Sequence, residues 1–171
     1  MVLSEAEKRK LFNRNRNVVN RVVRNFLAKR KVGIVHGTRA TNAQLPRDLH
    51  RETLDWDVFV KKPKLRARQL ERRLDKKFGG DFFRVKKGIG SPGIRVQKII
   101  SNVTDEGFVD FATPGRVVPS IPKRGVQFAT LRDQVKRAEA NIKKPELKFR
   151  REKDMDLIRR AKKAMTGRRV R

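Results

Sequence analysis

Along the chain the apolar residues switch between two periods, and the switches mark the elements. Leu11, Val18, Val19, Val22, Val23 and Phe26 recur at helical spacing. Ahead of them Ser4-Glu5-Ala6-Glu7 pairs a hydroxyl with a carboxylate three residues on, the signature of a capping box. Residues 1–31 therefore read as one basic amphipathic helix. From residue 32 short apolar runs alternate with turn signals. A strand over 32–36 closes at Gly37, and a helix follows from Ala40 toward Leu49, broken or kinked at Pro46. Trp56, Val58, Phe59 and Val60 make the next strand. Leu65, Leu70 and Leu74 then set an amphipathic helix over 64–77 that ends in Phe78-Gly79-Gly80. Strands over 81–86, 94–100 and 108–112 are separated by glycine-bearing turns, one of them the glycine-rich stretch 88–93. A loop through Pro114, Pro119 and Pro122 leads to a short strand over 126–129, one or two helices over 131–165, and a tail over 166–171. The order predicts an α+β domain over 32–130: a short mixed sheet with helices packed on one side, flanked by basic N- and C-terminal helices.

Charge changes this picture from a generic domain to one with a polyanionic partner. The 171 residues include 46 Lys+Arg against 18 Asp+Glu, a formal net charge of +28. Such a chain repels itself in the compact state, so a counter-polyanion is expected, nucleic acid ahead of an anionic membrane. A free-standing enzyme for small neutral substrates is a poor fit. The ends are charge-dense: 1–31 holds 10 basic and 2 acidic residues, 132–171 holds 16 and 6, and the acids concentrate in the middle. The hydrophobic fraction of 37%, with 10 Phe, supplies a core and excludes wholesale disorder. Without Cys there is no disulfide framework, thiolate zinc site or cysteine nucleophile, and two histidines, His36 and His50, do not make a histidine-rich metal site. No apolar run approaches the ~18 residues of a membrane span, and the N-terminus lacks a signal-peptide stretch. The expected location is intracellular: cytoplasm, nucleus or a virion.

Candidate chemistry sits in the middle of the chain. Side chains alternate along a strand, so Asp55 and Asp57 in Asp55-Trp56-Asp57 point to one face and Trp56 points to the core. Paired carboxylates repel unless a cation lies between them. Asp110 stands inside the apolar run Phe108-Val109-Asp110-Phe111-Ala112, where an unpartnered acid is costly. Three such acids on adjacent strands make an oxygen-only site for Mg²⁺ or Mn²⁺. Amid 46 cations, salt-bridge roles for the same acids stay open. Upstream, Gly37 allows close approach of backbone to a phosphate, Thr38 adds a hydroxyl and Arg39 a guanidinium, while His36 reads as an ordinary strand-end histidine. A phosphate cradle followed by three carboxylates is the equipment of two-metal phosphoryl or nucleotidyl transfer.

In this order the motifs resemble those of the polymerase-β-like nucleotidyltransferase superfamily, which includes poly(A) polymerases, CCA-adding enzymes and small stand-alone members. Its signature is a strand ending in Gly-Gly or Gly-Ser, then Asp-x-Asp, then a third acid on a later strand. Gly37-Thr38, Asp55-Trp56-Asp57 and Asp110 are similar to these, with Thr38 in place of the commoner Ser or Gly and a long intervening segment containing Pro46. Arg151-Glu152-Lys153-Asp154-Met155-Asp156 also looks like the Arg-x-Lys-Asp-x-x-Asp helix of some small members, one residue shorter. The resemblance implies that Asp55, Asp57 and Asp110 are catalytic and hold Mg²⁺ or Mn²⁺, Asp110 also taking the proton of the incoming hydroxyl. It implies that Gly37, Thr38, Arg39 and Lys153 bind a nucleoside triphosphate.

Polynucleotide contacts fall to Arg14, Arg16, Arg21 and Arg24, to Lys86 and Lys87 beside the glycine-rich turn, and to Arg168, Arg169 and Arg171. Five Asn between Asn13 and Asn25 either bind phosphates or form a solvated face. The competing expectation is a catalytically silent protein of the same fold that binds or packages nucleic acid, DNA or RNA, as a virion-core or chromatin-like component. A ribonucleoprotein subunit would explain the charge but not the paired acids.

Overall fold

A computed structural model describes residues 3–30, 32–90 and 94–167. The capping box forms as expected: the Ser4 hydroxyl accepts from the Glu7 N–H, the Glu7 carboxylate accepts from the Ser4 N–H at 2.8 Å, and α1 (Glu5–Arg14) begins there. The expected single helix is, however, two. Asn15 turns its side-chain amide back to donate to the Leu11 carbonyl at 2.9 Å, an alternative to the helical ladder, and α2 (Arg16–Arg30) starts afresh beyond it.

The remaining elements are β1 (Ile34–His36), α3 (Gly37–Asn42), β2 (Trp56–Phe59), α4 (Pro63–Phe78), β3 (Phe83–Ile89), β4 (Arg95–Ser101), β5 (Gly107–Ala112), β6 (Ser120–Lys123), β7 (Val126–Ala129), α5 (Leu131–Ile142) and α6 (Arg151–Gly167). α3 begins three residues earlier than expected and stops at Asn42; Pro46 instead opens a 3-10 turn, Arg47–Leu49. β6 lies in what reads as a proline-rich loop. It is an edge strand, where Pro122 is tolerated because its missing N–H would face outward. A tight turn through Arg124 and Gly125, both at positive φ, joins it to β7. α6 runs to Gly167, two residues into the expected tail, and Arg168, Arg169 and Arg171 lie outside the described residues.

The seven strands form one mixed sheet in the order β3-β4-β5-β2-β1-β7-β6. β2 is parallel to β5 and β1 to β7; the other pairs are antiparallel. One face carries Val35, Trp56, Val58, Ile99, Val109 and Phe111, all buried against Val19, Val23 and Phe26 of α2 and Leu70 and Leu74 of α4. α1 closes the end of this layer with Phe12, whose ring meets those of Phe78, Phe83 and Phe108 at 5.6–6.0 Å. The N-terminal helices are thus part of the main core. On the other face α5 and α6 pack together and leave a cleft between themselves and the sheet.

Candidate active site

Pairing of the strands places one row of polar residues across the second face. His36 on β1 pairs with Asp57 on β2, Asp57 with Asp110 on β5, Asp110 with Lys98 on β4, and Lys98 with Lys86 on β3. Neighbouring strands lie about 4.8 Å apart, so Asp57 and Asp110 stand abreast, an arrangement of like charges that costs stability. The Asp57 carboxyl is pushed up to about 6 by burial and by the charges of Asp55 and Asp110, while Lys153 and Lys98 pull it back. Lys98 Nζ donates to Asp110 Oδ2 at 2.7 Å, a direct ion pair with the second acid of the row. Asp55, just before β2, is exposed and its Oδ1 accepts from the Thr53 hydroxyl at 3.0 Å.

Asp57 and Asp110 therefore line the cleft together, and Asp55 is not among its lining residues. Among the described residues no three His, Cys, Asp or Glu side chains converge to hold a metal ion. The ammonium of Lys98 and the hydroxyl of Thr53 occupy two of the three acids.

Gly37 turns the chain from β1 into α3 at φ +69, a left-handed conformation. A Cβ there would fall 2.4 Å from Asp57 Oδ2, so glycine is required both by the backbone and by the neighbouring carboxylate. Its carbonyl accepts from Thr41 Oγ1 and from Gln134 Nε2, both at 3.1 Å. Thr38 follows it on the wall of the cleft.

Arg39, expected beside the phosphates, points the opposite way. Its Nε donates to the Asp55 carbonyl at 2.7 Å, its Nη2 to Asn20 Oδ1 and the Leu54 carbonyl, and its guanidinium lies 4.2 Å over the Trp56 ring. It braces the segment that leads into β2 and lies outside the cleft. Asn20 also accepts from Trp56 Nε1 at 3.0 Å, so this asparagine has a structural task. Trp56 is buried, as alternation predicts.

The wall facing the carboxylates is cationic. α5 presents Gln134, Arg137 and Asn141 one helical turn apart, and α6 presents Lys153 and Arg160, with Arg150 just before it. Lys153, expected to bind the nucleotide, lines this wall, and its charge acts on both Asp57 and His36. Arg137 was not legible as a site residue; its guanidinium stands 5.3 Å over the Phe59 ring, half-buried. Asp154 is buried and bound by Arg150, and Asp156 is bound by Arg159 and Arg160, so these acids anchor α6. His36 stacks on Phe59 at 3.8 Å. Burial, then Arg137, Arg150 and Lys153, push it down to about 3, so it is neutral at physiological pH. The enclosed cleft is about 240 Å³.

The expected polynucleotide contacts do not form one surface. Arg14, Arg21 and Arg24 are exposed on α1 and α2, whereas Arg16 is engaged by Glu106. Lys86 and Lys87 are successive residues of a strand and leave the sheet on opposite faces. Among the described residues no helix is long and apolar enough to cross a membrane.

A mixed sheet with Asp57 and Asp110 abreast and a glycine turn beside them agrees with the α+β fold expected from the motifs. Among solved structures the chain is similar to the Megavirus polyadenylate synthase, with a TM-score of 0.75 at 17% identity. The match covers 88% of this chain and 32% of that one, so this chain spans about a third of that protein's length. No family model matches the sequence, and no curated protein sequence matches it.

Proposed function

We propose that the protein is a nucleotidyltransferase that uses Mg²⁺ or Mn²⁺ to add a nucleotide, taken from a nucleoside triphosphate, to the end of a nucleic acid. The observation that carries this reading is the register Asp57↔Asp110 on parallel strands, inside a cleft whose opposite wall is cationic. Likeness to a polyadenylate synthase supports it.

The donor set fits a hard divalent cation. Asp57 and Asp110 offer only oxygen, and burial followed by the charges of Asp55 and Asp110 opposes ionisation of Asp57, a cost that a cation would offset. Asp57 and Asp110 would hold the ion, with Asp55 on the same face as a third donor. When bound, such an ion polarises phosphate oxygens and neutralises charge at the leaving group. Lys153, Arg137 and the Thr38 hydroxyl bind and orient the triphosphate. Asp110 is the acceptor for the proton of the attacking hydroxyl once Lys98 is drawn aside. Neutral His36 packs on Phe59 and takes no proton.

A second reading has one observation in its favour: Lys98 already satisfies Asp110, as in a fold kept for nucleic-acid binding or packaging without turnover. Incorporation of labelled nucleotide into a single-stranded primer, assayed with Mg²⁺ and Mn²⁺, separates the two. The transferase reading expects metal-dependent incorporation that falls by about 10³-fold or more in Asp57→Asn, with unchanged far-ultraviolet circular dichroism. No incorporation with any nucleotide, alongside retained primer binding, supports the silent protein.

A further inference from the structure

α3 is a wall shared by two clefts. Thr38 faces the carboxylates, whereas Arg39 and Asn42 face a second cleft of about 410 Å³ on the other side. Its cations come from four separate segments: Arg24 on α2, Arg39 on α3, Arg47 on the connection to β2, and Lys123 and Arg124 at the β6–β7 turn. No carboxylate lines it among the described residues, and none of Arg24, Arg47, Lys123 and Arg124 makes an ion pair among them.

A solvated helix face would carry its charges along one element. Here residues from 24 to 124 converge on one cleft. The tight turn puts Arg124 at the tip of a hairpin, with φ +51, and Lys123 Nζ is fixed to the Ala43 carbonyl at 2.6 Å. Four converging cations without an ion-pair partner among the described residues, Arg24, Arg47, Lys123 and Arg124, destabilise the compact state until an anion neutralises them. Half-buried Phe128 lines the same cleft.

We infer that this second cleft is the track of a single-stranded polynucleotide, whose backbone is held by Arg24, Arg47, Lys123 and Arg124. The spread of cations fits successive phosphates better than one phosphate group, and a ring beside them suits an unpaired base rather than a duplex. A strand lying there runs one helix away from Asp57, so the inference rests on the transferase reading for its purpose and on the cleft for its existence. It also relocates the polynucleotide from the dispersed Arg14, Arg21, Lys86 and Lys87.

The test is fluorescence anisotropy of a labelled single-stranded oligonucleotide over a salt series, with the full chain. The double variant Arg47→Glu, Arg124→Glu changes two exposed residues, and thermal melting checks its fold. Loss of two phosphate contacts lowers the slope of log affinity against log salt by about 1.4 and weakens binding at least ~10-fold at low salt. The charge-matched control Arg72→Glu, Lys76→Glu on α4, also exposed, keeps the wild-type slope. Equal losses in both double variants would overturn the inference, since the binding would then be diffuse. Wild-type binding by the cleft variant would overturn it too, as would a duplex that binds as tightly with the same sensitivity. Binding of Mn²⁺ with a nonhydrolysable nucleoside triphosphate is read in parallel. Its absence from wild type, with strand binding still lost in the cleft variant, sinks the transferase reading and leaves the cleft standing.

Discussion

Strand β2 has two faces that differ by one step along the chain and by almost everything else. Trp56 and Val58 enter a layer that is close to fully buried, matched across β5 by Val109 and Phe111. Asp57 enters the cleft, matched across β5 by another aspartate. The first face is stabilising wherever the protein is placed. The second is costly in the isolated protein, because burial and two neighbouring acids oppose the charge of Asp57 and only Lys98 and Lys153 compensate. The lesson is one of division of labour: the helical layer of α1, α2 and α4 supplies stability that offsets the cost of the polar row.

The comparison breaks most visibly on its apolar side. Phe111→Ala removes a fully buried ring from the middle strands and is expected to cost about 3–5 kcal/mol. The midpoint of urea unfolding should drop accordingly, with a slope close to that of wild type.

The polar side should respond with the opposite sign, and by less. Asp57 titrates near 6 in the folded protein against an ordinary 3.8, so the folded state binds that proton more tightly than the unfolded state does. Its contribution is therefore favourable at low pH and is lost as pH rises from about 4 through about 6. Above that window Asp57→Asn, which stays neutral, is expected to stabilise the metal-free protein by up to about 3 kcal/mol. Below pH ~4 the gain should vanish. Melting temperatures of both proteins from pH ~4 to ~8, through the window between these two pKa values and above it, give the answer, and a lower melting temperature for Asp57→Asn at neutral pH would contradict the account.

Much of this division is written in local spacing. The alternation Asp55-Trp56-Asp57-Val58 settles which residues of β2 share a face, and the apolar neighbours of Asp110 mark it as an acid held in place for a reason. The capping box at Ser4 and the glycine after Phe78 set helix ends that the structure keeps. What sequence does not carry is which side of a short element faces what. Arg39 is two residues from Gly37 in α3, about 200° round the axis, and so leaves the carboxylates for Trp56. The Lys98–Asp110 pair depends on the register of β4 against β5, which shifts at Ile99 and Ile100. Arg137 reads as one more cation until α5 is laid against the cleft. Asn15 breaks a helix through a bond to a carbonyl four residues back, and Pro122 disguises an edge strand as a loop.

The central claim is that Asp57 and Asp110 form a divalent-cation site serving a nucleotide. Isothermal titration of Mn²⁺, with and without a nonhydrolysable nucleoside triphosphate, into wild type and into Asp57→Asn, Asp110→Asn at moderate salt tests it most directly. The account predicts Mn²⁺-dependent nucleotide binding in wild type that is lost in the double variant, while the variant remains folded. Equal, salt-sensitive nucleotide binding in both proteins, indifferent to Mn²⁺, would contradict it and leave the two acids as partners of Lys98 and Lys153 alone.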